Sequence, residues 1–181
     1  MPKLNITDKI EIPEGVEIII EAPMIKVKGP EGEMEKRLFH PMVKISKEEK
    51  ELVFTLKNGT KREKMMMKTF EAHIKNMIQG STQKYEYHLR VCSSHFPMTV
   101  TKESNKVIVK NFLGEKIARE ARIMGDSEVE IKGTEISVKS PNIETAGQTA
   151  ANIEKSTRLT NKDRRRFQDG IFITEKPSFK K

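Results

Sequence analysis

The chain of 181 residues has one cysteine, no tryptophan and two tyrosines. A lone Cys92 permits no internal disulfide and no cysteine cage for a metal, so a reducing, cytoplasmic setting is expected. No run approaches the roughly 18 apolar residues of a membrane helix. Met1-Pro2-Lys3-Leu4-Asn5-Ile6-Thr7-Asp8 lacks the apolar stretch of a secretion signal, and no membrane partner is expected. Reaction centres are equally scarce. Asn58-Gly59-Thr60-Lys61 has the wrong residue order for a phosphate-cradling loop. His40, His73, His88 and His95 fall in four different elements without metal-ligand spacing. Ser93-Ser94-His95 sets hydroxyls beside an imidazole, but neighbours in an extended segment point to opposite faces, and no nucleophile elbow frames them. Cys92 ends an apolar strand and reads as a small buried side chain. The expectation is therefore a non-enzyme with no cofactor, no metal and no small-molecule substrate.

Charge is what the chain has in excess. One third of the residues are charged, against roughly a quarter in an ordinary soluble protein, and the formal net charge is +8. Its distribution is uneven. Residues 1–80 carry 15 basic and 13 acidic side chains, residues 81–154 carry ten of each, and residues 155–181 carry nine and three. Alternating signs, as in Lys47-Glu48-Glu49-Lys50-Glu51, describe a solvated face. Lys162-Asp163-Arg164-Arg165-Arg166 is nearly single-signed, and the planar arginine fork suits phosphate oxygens. A polyanionic partner is expected for this segment.

The chain also repeats itself. Val27-Lys28-Gly29-Pro30-Glu31-Gly32-Glu33 aligns with Val109-Lys110-Asn111-Phe112-Leu113-Gly114-Glu115, Val43-Lys44-Ile45 with Val129-Glu130-Ile131, Glu51-Leu52-Val53-Phe54 with Glu135-Ile136-Ser137-Val138, and Ala72-His73-Ile74 with Ala151-Asn152-Ile153. Matches kept in order at a spacing of roughly 80 residues imply a duplicated unit, far longer than a solenoid repeat. Each unit reads as strands followed by one helix. In the first, Val16, Ile18 and Ile20 alternate with Glu17 and Glu21, Met24-Ile25-Lys26-Val27-Lys28 alternates similarly, and further strands are predicted over 35–39, 42–46 and 52–56. From about Arg62 the period becomes helical through Met66, Phe70, Ile74, Met77 and Ile78, with Gly80 closing the pattern. The second unit opens with a long strand showing Tyr85, Tyr87, Leu89 and Val91 on one face and Lys84, Glu86, His88 and Arg90 on the other. Strands are predicted over 98–101, 106–110, 116–123, 129–132 and 135–139. A helix then starts at Ser140-Pro141 with Ile143, Ala146, Ala150 and Ile153 as its packing stripe. The predicted class is α+β: two tandem copies of one unit, residues 1–80 and 81–181, each a mainly antiparallel sheet with one helix on one face, the second ending in the basic segment 155–181.

These residues resemble the large-ribosomal-subunit protein six family in its archaeal and eukaryotic form. The resemblance is carried by Lys26-Val27-Lys28-Gly29-Pro30-Glu31-Gly32, Ile74-Lys75-Asn76-Met77-Ile78-Gln79-Gly80, His95-Phe96-Pro97, Asn111-Phe112-Leu113-Gly114-Glu115-Lys116, Gly147-Gln148-Thr149-Ala150-Ala151-Asn152-Ile153 and the run from Asn161 to Ile171. Bacterial members have a P-E-P-Y-K-G-K-G-I segment where this chain has Asp163 to Ile171, so bacterial contacts do not transfer across that stretch. The resemblance implies two copies of one α+β fold. It also implies binding of large-subunit ribosomal RNA near the sarcin–ricin loop and the base of the lateral stalk, chiefly through the second unit, beside other large-subunit proteins in the cytoplasmic ribosome.

Phosphates, 2′-hydroxyls and shape are what such a protein would read on A-form RNA. The candidate contacts are Lys155, Arg158, Lys162, Arg164, Arg165, Arg166, Lys176, Lys180 and Lys181, with Lys84 and Arg90 from the polar face of the long strand. Phe167 is placed either on an unpaired base or in packing beneath the loop. Two other classes remain: an adaptor whose basic segment docks on an acidic protein, and an RNA-modifying or hydrolytic enzyme using His95 or His88.

Overall fold

A computed structural model describes residues 4–177 and divides the chain into two compact units, Met1–Lys84 and Tyr85–Lys181. In the first unit the strands are β1 (Leu4–Glu11), β2 (Glu17–Glu21), β3 (Met24–Gly29), β4 (Gly32–Arg37), β5 (Val43–Glu48) and β6 (Glu51–Gly59), followed by helix α1 (Lys61–Thr82). They form two antiparallel sheets, in the orders β2-β3-β4 and β1-β6-β5. Helix α1 packs on strands of both. Val27, Leu52, Phe54, Leu56, Met67 and Ile74 are fully enclosed at the junction, where burying each large apolar side chain is worth roughly 1.5–3 kcal/mol.

The second unit repeats this plan. Its strands are β7 (Tyr85–Cys92), β8 (Thr99–Glu103), β9 (Lys106–Lys110), β10 (Arg119–Arg122), β11 (Glu128–Lys132) and β12 (Glu135–Ser140), followed by helix α2 (Ile143–Ser156) and a further strand, β13 (Gly170–Glu175). The sheets run β10-β9-β8 and β11-β12-β7-β13, and α2 packs on β10, β12, β7 and β13. The aligned sequence segments fall in matching elements: Val27 in β3 with Val109 in β9, Val43 in β5 with Val129 in β11, Phe54 in β6 with Val138 in β12. The α+β class and the tandem duplication are thus present, with each unit's strands shared between two sheets under one helix.

Several local expectations are corrected. Strand β1 escapes the period-two pattern because its inward positions read Ile6, Asp8, Ile10. Asp8 breaks the apolar alternation, and its carboxylate pairs with Lys68 of α1 at 3.1 Å. Helix α1 does not stop at Gly80. It continues to Thr82 because Ser81 packs against Gly29, where an added Cβ would lie 2.6 Å from the serine Cβ, and the Ser81 carbonyl accepts from Glu31 N. Met67, rather than Met66, is the fully buried methionine of the run. At the other end, Thr60 caps α1 and the Glu63 carboxylate accepts from Thr60 N at 2.7 Å, a reciprocal arrangement that satisfies two orphan donors. The cap of α2 is Asn142, which accepts from Glu144 N at 2.9 Å. Ser140 is still paired with Tyr85 in the sheet and cannot turn out of it. The predicted strand over 116–123 shortens to Arg119–Arg122, since Asn111, Leu113 and Gly114 all take positive φ in the tight turn before it.

Candidate nucleic-acid interface

The basic segment leaves the C-terminal end of α2 and returns as β13 along the outer edge of β7. Ile171-Phe172-Ile173-Thr174 carries the β-branched and aromatic signature of a strand, which the charge around it hid. Ile171 is fully buried against the second core. Two β13 amides that point away from β7 are claimed by the end of α2: Ile171 N donates to Thr157 Oγ1 at 2.9 Å and Ile173 N to Glu154 Oε1 at 3.2 Å. Sealed in this way, the edge offers no ready template for another strand. The Thr157 bond also closes the neck of the loop that carries the arginines.

A second fastening lies at Asp169, whose side chain is almost completely buried. Its Oδ1 accepts from Ser94 N at 2.6 Å and His95 N at 3.0 Å, and its Oδ2 lies 2.6 Å from His95 Nδ1. Burial alone would push this carboxyl up; the hydrogen bonds from the His95 amide and ring and the Ser94 amide outweigh it and hold the group below its ordinary value. The His95 ring stacks on Phe167 at 4.8 Å between centroids, and Lys162 Nζ lies 4.6 Å from the same Phe167 ring centre. Of the two alternatives for Phe167, packing within the loop is therefore the one seen. Neither the Asp169–His95 pair nor its bond to the 94–95 amides is visible in sequence, because the partners lie 74 and 75 residues apart.

Asp163 shapes the arginine turn itself. Its carbonyl accepts from Arg166 N and Phe167 N, and its carboxylate accepts from Arg165 N at 2.9 Å and Arg165 Nε at 3.3 Å. The Arg165 amide first, and then its side chain, keep the Asp163 carboxyl low. This contact does not quench the turn, for the Arg165 side chain remains 92% exposed. Arg164 and Arg166 are exposed, as are Lys155, Arg158, Lys162 and Lys176. Among the described residues no carboxylate lies within ion-pair distance of Lys155, Arg158, Arg164 or Arg166. Arg119 anchors the start of the segment: it forks onto Glu115 at 2.6 and 2.7 Å, lies over Phe112, and donates to the Ser156 and Arg158 carbonyls.

The candidate contacts thus separate. Lys155, Arg158 and Arg164 line one pocket of about 820 Å³ together with Phe167, Gln168 and Phe172. Arg90 does not line it, although the register sets Arg90 on β7 opposite Phe172. Lys84 does not belong to the long strand; it precedes β7, is half-buried, and sits 4.0 Å from Glu31 in the first unit. Lys180 and Lys181 lie outside the described residues. His88 faces Glu86 at 3.9 Å on the exposed side of β7, and no cluster of His, Cys, Asp or Glu suited to a metal occurs among the described residues.

The model of the family described as Ribosomal protein L6 matches the chain twice, over residues 12–84 and 96–170. The two matches fall on the two units and leave out the opening strand of each. Curated relatives cover nearly the same span. The protein called large ribosomal subunit protein uL6 in Methanobrevibacter smithii is 43% identical over 171 residues, covering 94% of this chain and 96% of its own length. That of Halobacterium salinarum is 43% identical over 170 residues, with the same two shares. That of Sulfurisphaera tokodaii is 42% identical over 177 residues, covering 97% of this chain and 95% of its own.

Proposed function

This chain belongs to the ribosomal protein L6 family, and on that premise we propose that it binds large-subunit ribosomal RNA through the fastened basic segment of its second unit. Its relatives are structural proteins of the large ribosomal subunit, not enzymes, and the cytoplasmic ribosome is its place of work. The RNA surface we assign to it is the neighbourhood of the sarcin–ricin loop and the stalk base, with other large-subunit proteins alongside. The mechanism is a phosphate clamp. Cations held at fixed spacing on a turn neutralise neighbouring RNA strands and keep them in one relative position. The observation that carries this reading is that Lys155, Arg158, Arg164 and Arg166 have no ion-pair partner among the described residues, on a segment whose two ends are hydrogen-bonded into the fold. Preorganisation matters because ordering such side chains during binding would otherwise cost affinity. Arg90 is exposed on β7 opposite Phe172, whereas Lys84 is the weakest of the candidates.

The test is binding of the full chain to large-subunit rRNA fragments across a salt series. Each neutralised phosphate steepens the log–log slope by roughly 0.7–0.9, so replacing Arg164, Arg165 and Arg166 by alanine should make it shallower by roughly two to three. An unchanged slope removes these arginines from the interface. Sedimentation of extract with and without ribonuclease separates the RNA reading from an adaptor: association that survives digestion and yields one stoichiometric protein points to an acidic protein partner instead.

A further inference from the structure

The pocket beside β13 has a composition that phosphate clamping alone does not call for. At about 820 Å³ it falls within the range of sites that enclose small ligands. Its lining includes three cations, Lys155, Arg158 and Arg164, together with Gln168 and Phe172, the latter 37% exposed. Two carboxylates also reach its lining, and both are already engaged: Glu154 Oε1 holds Ile173 N, while Asp169 holds the Ser94 and His95 amides and the His95 ring. Among the described residues neither carboxylate lies within ion-pair distance of Lys155, Arg158 or Arg164. The Phe167 ring is occupied by His95 and approached by Lys162, which leaves Phe172 as the aromatic surface on offer. Phe172 lies over the bare backbone of Gly170, where an added Cβ would come within 3.1 Å of its Cζ. Arg90 stands opposite it across the strands.

A convex RNA helix presents phosphates but cannot fill a concavity. An unpaired nucleotide turned out of its stack can, and it brings the chemistry that this lining complements: a phosphate for guanidinium forks, a flat base for an aromatic ring, and polar base edges for a carboxamide that both donates and accepts. We propose that the pocket receives one extruded nucleotide of the bound RNA, its phosphate held by Lys155, Arg158 and Arg164 and its base by Phe172 and Gln168. The inference rests on the rRNA-binding reading and identifies which part of the RNA enters the protein.

Full-length Phe172→Leu and Gln168→Ala variants, compared with Arg165→Ala outside the pocket, test it on large-subunit rRNA fragments. Leucine keeps the apolar bulk on β13 but removes the flat ring, and circular dichroism confirms that each variant is folded. Loss of stacking should weaken binding by roughly fivefold to a hundredfold while leaving the salt slope unchanged, since a base releases no counterions. Arg165→Ala should instead lower the slope as it weakens binding, since it removes a phosphate contact. Chemical probing of the wild-type complex should show one unpaired base whose reactivity falls on binding and returns with Phe172→Leu. If the wild type binds rRNA and both pocket variants bind equally well with an unchanged reactivity pattern, the nucleotide pocket is refuted and the phosphate clamp stands. If the wild type fails to bind rRNA at all, the clamp itself is refuted.

Discussion

In the first unit β1 is the outermost strand of its sheet, while in the second the equivalent strand, β7, has β13 along its outer edge. Both units place a sheet pair beneath one helix, and both enclose a core of similar make-up. Their charges are handled differently. In the first unit Lys9 meets Glu51, Lys28 meets Glu33, and Lys68 and Lys75 both meet the buried Glu71. In the second, the cations of the segment between α2 and β13 are left to face outward. The second copy thus gains a strand on one edge of its sheet, and the loop leading into that strand carries the exposed cations on which the proposed rRNA contact rests. The first copy is a self-contained module, whereas the second is completed by an element without a counterpart among the described residues of the first.

The sharpest way to break this contrast is Ile171→Ala. Truncating a fully buried side chain of β13 should cost about 3 kcal/mol, with amide exchange rising in β7 and β13 while α1 keeps its protection. Equal loss in both units would show that the added strand is not specific to the second. Asp169→Asn comes next, at about 2 kcal/mol, since it weakens the acceptor of three hydrogen bonds in a buried place. The sign of its pH dependence is fixed by the direction of the shift. A carboxyl held below its ordinary value stabilises the fold fully above the unfolded aspartate range and loses that contribution as pH falls through the folded value. Urea midpoints of the second unit should therefore fall on acidification in the wild type and less steeply in the asparagine variant. Thr60→Ala should cost about 1 kcal/mol by removing the cap of α1, and filter binding should show rRNA affinity unaltered. Smallest of all is the thermal effect of replacing Arg164, Arg165 and Arg166 together. All three are exposed, and the Arg165 side chain's contact with Asp163 is a surface pair of little weight, so the melting midpoint should stay where it was, even as the salt dependence of RNA binding becomes shallower; a large drop in the midpoint would reassign them to folding.

Legibility in the sequence followed the range of the forces involved. Period-two runs such as Ile18–Ile20 and the helical stripe through Phe70, Ile74 and Met77 depend on neighbours a few residues away, and they mark β2 and α1 directly. Charge is additive, so the cationic character of 155–181 needed no fold to be seen. Strand β1 was concealed because an inward carboxylate is acceptable only when a lysine from another element answers it. The Asn142 cap was misplaced by two residues because sheet register, a long-range constraint, keeps Ser140 paired. Hidden most completely were the Asp169 fastening and the pocket, both of which exist only after chain segments distant in sequence come together around β7.

Because Thr174 reaches back 86 residues to the carbonyl of His88, the shape of the arginine turn depends on a long-range pairing, whose loop-closure entropy has to be met before its contacts repay it. Until β13 docks, the cations are an unshaped tether, able to attract any polyanion but to fit none. In the proposed rRNA-binding role, selectivity among RNA surfaces therefore depends on a β-sheet pairing at the far end of the chain as much as on the arginines themselves.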